Sequence, residues 1–312
     1  MRLTVELAAG RKSSLLLRNP VMLAAGTCGY GLEYARIAEI ERLGAIVSKG
    51  TTLRPRRGNA QPRTREVAAG LLNAIGLQNP GIETVIRRYA PIWSTWQTPV
   101  IVNIAGETVE EFAKLAQRLE GVPGVAGIEV NVSCPNVRAG GRVFGESPEA
   151  VAAVTAAVRQ STTLPVIVKL SPNTGDARPT ALAAAEAGAD AVSLINTLTG
   201  MDIDLEARRP LPAHGTGGLS GPAIRPLALR MVYEVACELR ERQPGVAVIG
   251  IGGITSASDA LAFIMAGAVA VQIGTANFVN PRTGVLVLEG IEAFMRAHGI
   301  ENIAELVGAA LP

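Results

Sequence analysis

A chain of 312 residues with a formal net charge of +2 and its arginines spread along the sequence offers no basic face for nucleic acid or a membrane surface, so the expected partner is a small molecule or another protein. Hydrophobic residues make up 48% of the chain and aromatics only 4%, with abundant Gly and Ala, a composition suited to close helix-on-sheet packing rather than an aromatic-rich β core. Cys28, Cys134 and Cys237 stand far apart with no CxxC pair, which excludes a disulfide framework and a self-contained zinc or iron–sulfur site and points to a reducing compartment.

The first segment, MRLTVELAAGRKSS, lacks the apolar core and cleavage site of a secretory signal, and no later run reaches ~20 uninterrupted apolar residues. A soluble, cytoplasmic protein is expected, with residues 1–312 forming one large domain. LTVELA and LLLRNP read as an N-terminal hairpin. Short runs of apolar and β-branched residues then recur: VMLAAG (21–26), AIVSKG (45–50), PVIVNIA (99–105), GIEVNVS (127–133), PVIVKLS (165–171), AVSLINT (191–197), VAVIGIGG (246–253) and AVQIGT (270–275). Runs apolar on both faces fit a parallel sheet covered on each side. Helical patterns lie between them. In TVEEFAKLAQRLEG, Thr108 and Glu111 have capping-box spacing, and in SPEAVAAVTAAVRQ, Ser147 can cap with Pro148 in the first turn. Eight β/α repeats imply a closed (β/α)8 TIM barrel with the hairpin closing its bottom, and an open doubly wound sheet is the alternative. Long loops follow strands 2, 4 and 6; those at 51–81 and 198–221 are long enough for lids or binding loops at the rim where barrels build active sites.

At the C-terminal ends of these strands stand Ala25, Gly26, Lys49, Gly50, Asn103, Asn131, Cys134, Lys169, Asn196, Thr197, Gly252, Gly253, Gly274 and Thr275. Two lysines and three asparagines converging on one rim are more than core packing requires, and such groups survive burial only with partners. GIGGI, IGT and the GTGGLSG loop (215–221) place glycines where backbone N–H groups can surround an anion, so a phosphorylated ligand is expected; relief of crowding at the barrel top is the competing explanation. No G-x-G-x-x-G stands in a strand-to-helix turn and no Walker A sequence occurs, which argues against direct dinucleotide binding. His214 lies on a long loop, His298 near the end of the last helix, and the carboxylates mostly sit on helix faces. Cys134 is therefore the candidate base or nucleophile. Cys237, at core spacing in RMVYEVACELRER, and Cys28, in AAGTCGYG, read as structural.

NVSCPNV (131–137), LLNAIGLQNPG (71–81), NTLTGMDIDL (196–205), TGGLSGPAIRP (216–226) and GTANFVNP (274–281) together resemble the class 1 dihydroorotate dehydrogenases, FMN-containing (β/α)8 enzymes of pyrimidine biosynthesis, and within them the class 1B catalytic subunit. The resemblance covers nearly the whole chain. NAIGLQNPG with TGGLSGPA is similar to 1B rather than the fumarate-using 1A branch, and Cys rather than Ser at 134 sets the chain apart from the membrane-associated, quinone-using class 2. The resemblance implies that Cys134 removes the C5 proton of (S)-dihydroorotate while C6 gives hydride to N5 of FMN. It implies substrate binding by Lys49, Asn73, Ala74, Ile75, Gly76, Leu77, Asn131, Asn196 and Thr197. It implies one FMN per subunit held by Ala25, Lys49, Gly50, Asn103, Asn131, Lys169, Ile195, Gly221, Gly252, Gly253, Gly274 and Thr275, with Lys169 stabilising charge on the reduced ring and no metal in this chain. Ala25 stands where many relatives have Ser, which removes one hydroxyl contact to FMN, and Gly50 where many have Ala. The resemblance further implies a homodimer joined by an electron-transfer subunit carrying FAD and an iron–sulfur cluster, giving a heterotetramer that reduces NAD, with no membrane or nucleic-acid partner. A dihydropyrimidine dehydrogenase-like flavoenzyme acting on uracil or thymine, a flavin-free sugar-phosphate lyase or isomerase barrel, and a non-enzymatic scaffold for a redox partner are the alternatives.

Overall fold

A computed structural model describes residues 1–8, 14–133, 138–139, 142–213 and 215–312. Among them, the eight apolar runs become eight parallel strands: Val21–Leu23, Ala45–Val47, Val100–Ile104, Gly127–Asn131, Val166–Lys169, Ala191–Leu194, Ala247–Ile251 and Ala270–Ile273. They pair in chain order, and the eighth closes on the first with Val271 opposite Val21. Closure excludes the open doubly wound sheet. Almost every residue in these strands is buried, because one face of each strand fills the barrel and the other meets the helices.

The helices cover the barrel through apolar stripes of helical period. Val109–Leu119 buries Phe112, Leu115, Ala116 and Leu119; Pro148–Ser161 buries Val151, Val154, Thr155 and Val158. Each such large aliphatic side chain contributes about 1.5–3 kcal/mol on full burial. Ser147 caps as its sequence suggests, accepting from Ala150 N at 3.3 Å. The capping box at Thr108 is only half made: Thr108 Oγ1 accepts from Glu111 N, but the Glu111 carboxylate turns to Glu107 N at 2.7 Å, one residue before the cap. The first repeat also departs from the pattern. Its helix is reduced to Leu32–Ala35 and a 3-10 turn at Ile40–Arg42. Cys237 is half-buried rather than in the core, because the buried stripe of Arg225–Arg242 runs through Ala228, Met231, Val232, Val235, Ala236 and Leu239 and passes beside it.

Val5–Glu6 and Leu16–Leu17 pair antiparallel as the expected hairpin. Leu7, Leu15 and Leu17 are buried, and a Cβ on Gly127, at the start of the fourth strand, would lie 3.6 Å from Leu15 Cδ2, so the hairpin packs under the N-terminal end of the barrel. At the other end, the long connections after strands 2 and 6 are not irregular loops. Thr64–Val67 and Gly70–Asn73 form a hairpin, Gly70–Asn73 pairs with Gly217–Ser220, and that strand pairs with Leu198–Gly200, giving a four-stranded antiparallel sheet over the barrel mouth. A separate hairpin joins Asp202–Asp204 to Arg209–Leu211. After strand 4, Arg138–Ala139 pairs with Arg142–Val143. No helix among the described residues is long and apolar enough to cross a membrane.

Candidate active site

Beneath this small sheet, at the C-terminal rim of the strands, lies a cavity of about 580 Å³. That is within the usual size range of small-ligand and cofactor sites. Every expected binding position lines it. From the strand ends come Ala25, Lys49, Gly50, Asn103, Asn131, Lys169, Ile195, Asn196, Thr197, Gly252, Gly253, Gly274 and Thr275; from the covering sheet and its turns come Asn73, Ala74, Ile75, Gly76, Leu77 and Gly221. Cys134 and His214 lie outside the described residues. His298 is exposed at the end of the last helix, its ring stacked on Phe294 and its Nδ1 2.8 Å from Phe294 O, remote from the cavity lining.

The polar rim is built from side chains that hold one another. Asn131 Oδ1 accepts from Ser133 N and from Asn196 Nδ2, each at 3.2 Å, and Asn196 Oδ1 accepts from Thr197 N at 2.8 Å. Ser133 Oγ donates to Lys169 O at 3.1 Å, tying the end of the fourth strand to that of the fifth. Asn73 Nδ2 donates to Gly218 O at 3.1 Å across the covering sheet. The turn Asn73–Leu77 requires its glycine: Gly76 has φ +71°, and a Cβ there would lie 2.4 Å from Asn59 Oδ1, whose amide donates to Ala74 O. Asn79 is buried with all its capacity used, joining Thr52, Leu77 and Gly81, which makes it a scaffold residue. Burial, and then the charge of Arg63, lower the Lys49 ammonium below its ordinary range, while Glu33 opposes them. Cys28 lies behind the rim with Sγ 3.6 Å from Val47 O, and burial pushes its thiol up to about 12, as a structural cysteine should behave.

The last two strands and the end of the sixth-strand connection converge. Gly221 O would lie 2.8 Å from a Cβ at Gly253, and Ser220 Oγ is bonded to Thr275 Oγ1 at 2.8 Å. Gly221, Gly252 and Gly253 all have positive φ, so both crowding and backbone shape call for glycine there. Among the described residues, no carbonyl or side chain accepts the N–H of Gly253, Gly274 or Thr275, while that of Gly252 faces Gln272 O in the bridge between the seventh and eighth strands. Such a ring of free donors fits an anion. Deeper in the site, Asn103 is 1% exposed and its Oδ1 has no partner within the described chain, an acceptor offered to a ligand N–H. The residues present thus fit a group that carries a phosphate and a polar ring.

Sequence reasoning passed over the group beneath this rim. Glu129 is 0% exposed; it accepts from Asn103 Nδ2 and Gln272 Nε2, each at 3.2 Å, and its Oε1 is 3.9 Å from Lys169 Nζ. The signal was present: Gly127, Glu129 and Asn131 alternate with Ile128 and Val130, which puts Glu129 on the same face as Asn131. Asn59, Thr64, Ser171, Asn173, Thr199 and Phe278 also line the cavity.

A family model described as dihydroorotate dehydrogenase matches residues 11–295. The chain is 53% identical over 309 residues to the dihydroorotate dehydrogenase B (NAD(+)), catalytic subunit, of Geotalea uraniireducens (strain Rf4), covering 99% of this chain and 98% of that protein. It is 55% identical over 300 residues to the protein of the same name from Desulforudis audaxviator (strain MP104C), covering 96% and 95% of the two. Its fold is also similar, with a TM-score of 0.81 at 22% identity, to a crystal structure of DHODH in complex with ferulenol from Eimeria tenella, over 99% of this chain and 89% of that one. A closed barrel with a lysine- and asparagine-rich cavity at its C-terminal rim, matched along nearly its whole length, places this chain in the dihydroorotate dehydrogenase family.

Proposed function

We propose that the chain is the FMN-dependent catalytic subunit of an NAD-linked dihydroorotate dehydrogenase, oxidising (S)-dihydroorotate to orotate in de novo pyrimidine (UMP) biosynthesis. The oxidation itself follows from family membership and from relatives of the B catalytic-subunit type aligned end to end. The observation that carries the finer reading is the cavity's division into two chemistries: free N–H donors at Gly253, Gly274 and Thr275 beside Gly252, and an amide-and-ammonium rim at Lys49, Asn73, Asn131 and Asn196. The first suits the FMN phosphate. The second suits a planar pyrimidine with a carboxylate, because Asn supplies both donor and acceptor and Lys offsets the charge.

FMN held there would supply the hydride acceptor for substrate C6. The chain's residues do the rest. Cys134, on the segment leaving the fourth strand, takes the C5 proton. Asn131 and Asn196 are held to each other, so their free faces are oriented before substrate arrives. Lys169, 6% exposed, keeps a cation where negative charge collects as the flavin is reduced. Ala74, Ile75, Gly76 and Leu77, on the turn after the covering sheet's Gly70–Asn73 strand, and Thr197, at the end of the sixth barrel strand, hold the substrate. Ala25, Gly50, Asn103, Ile195 and Gly221 complete the flavin contacts.

The whole chain, 1–312, acts as one catalytic domain in the cytoplasm, as a homodimer. A second subunit with FAD and an iron–sulfur cluster carries electrons onward to NAD, completing a heterotetramer. The test is an anaerobic titration of the purified protein. Dihydroorotate should bleach the bound flavin and dihydrouracil should not; NAD should reoxidise it only with the partner subunit, and fumarate and quinone should not. A colourless protein, or bleaching by dihydrouracil instead, refutes the reading.

A further inference from the structure

Proton transfer, substrate binding and flavin binding leave the carboxylate buried in the barrel lumen, Glu129, without a task. Glu129 touches nothing in the cavity, yet Asn103 and Lys169, two of its three polar partners, line it. The third, Gln272, stands on the eighth strand, half a turn around the ring from the fourth, so the carboxylate lies mid-lumen, one layer below Asn131. Both of its oxygens accept hydrogen bonds from amide nitrogens, with an ammonium 3.9 Å away. Simple filling of a barrel interior does not call for this, because buried ion pairs are often replaced by apolar packing at no loss of stability.

An asparagine amide has a donor end and an acceptor end, so fixing one aims the other. Asn103 Nδ2 is held by Glu129 Oε1, and this leaves Oδ1 facing Gly50, where a Cβ would lie 3.1 Å away, with no partner of its own. Turned the other way, the Asn103 carbonyl would face the carboxylate. We propose that Glu129 is a positioning residue of the cavity: it locks the Asn103 amide so that Oδ1 is presented to a ring N–H of the bound flavin. The inference rests on the proposed flavin site.

The test compares wild type, Glu129→Gln, Asn103→Ala and the double variant, each as apoprotein titrated with FMN and then, loaded, assayed with dihydroorotate. Glu129→Gln preserves volume but removes an acceptor, so Asn103 is free to turn. Its FMN Kd should rise at least tenfold, while in the Asn103→Ala background the same substitution should change the Kd less than threefold. Gln272→Met, which breaks the far bond and leaves the Asn103 bond intact, should stay within threefold of wild type. If Glu129→Gln does not fold, Glu129→Asp keeps the charge, withdraws from Asn103 and should raise the Kd at least fivefold. Wild-type FMN affinity in the Glu129 variant, equal loss in both backgrounds, or equal loss in Gln272→Met overturns the proposal. A wild-type protein that takes up no flavin overturns the flavin reading instead, so the two failures are distinguishable.

Discussion

Replacing Gly253 by Ala probes the proposed phosphate cradle where it meets the sixth-strand connection. Gly253 has φ +69°, where an L-residue is penalised by roughly 1–2 kcal/mol. Its Cβ would lie 2.7 Å from Arg225 Cβ and 2.8 Å from Gly221 O, so the carbonyl at the end of the sixth-strand connection must retreat. The apoprotein should therefore lose about 2 kcal/mol in denaturant unfolding, from left-handed backbone and overlap together. The retreat also spreads the donors around the phosphate. A hydrogen bond to a charged group is worth about 1.5–3 kcal/mol, so loss of one such bond should weaken FMN by roughly 10- to 100-fold at 1.4 kcal/mol per decade. The assay is a paired titration of apoprotein with FMN and with riboflavin, which lacks the phosphate. FMN affinity should fall by that factor while riboflavin affinity stays within about threefold of wild type. Equal weakening of both flavins would mean that Gly253 serves ring packing or general crowding, and the phosphate assignment would fail.

Cys134→Ala should retain FMN, seen as an unchanged flavin spectrum, and lose most of its dehydrogenation; near wild-type turnover would remove the thiol from proton transfer. Burial pushes Cys28 from 9.0, and Tyr30 from 10.0, up to about 12. The unfolded chain therefore releases these protons first, so the stability they confer is complete below pH 9 and is lost as pH rises from 9 towards 12. Urea unfolding across that window should show the decline, and a shallower one in Cys28→Ala. Ser147→Ala removes the cap on Ala150 N and should destabilise by about 1 kcal/mol in the same assay. Arg159→Met strips the guanidinium from Asp190, 3.0 Å away and with a side chain 2% exposed, and should cost about 3 kcal/mol.

The barrel was legible because its strands are apolar on both faces, a pattern that antiparallel sheets with a wet side do not produce. The covering sheet was not. Its strands, TREV, GLLN, LTG and GGLS, are polar or glycine-rich and partly exposed, and the pairing of Asn73 with Gly218 joins segments far apart in sequence. The rim residues could be read from the sequence because a lysine or asparagine at a strand end is conspicuous after an apolar run. Glu129 escaped notice for a converse reason: it sits mid-strand, and what explains it, Gln272, is reached only by crossing the lumen. The half-made capping box at Thr108 had the right spacing, but a neighbouring N–H captured the carboxylate.

Strands 2 and 6 stand opposite each other around the ring, so the sheet that joins their connections crosses the mouth like a beam. The residues that follow Asn73 and those that precede Leu198 are thereby fixed to one another across the cavity, so a change made in one connection is felt at the other.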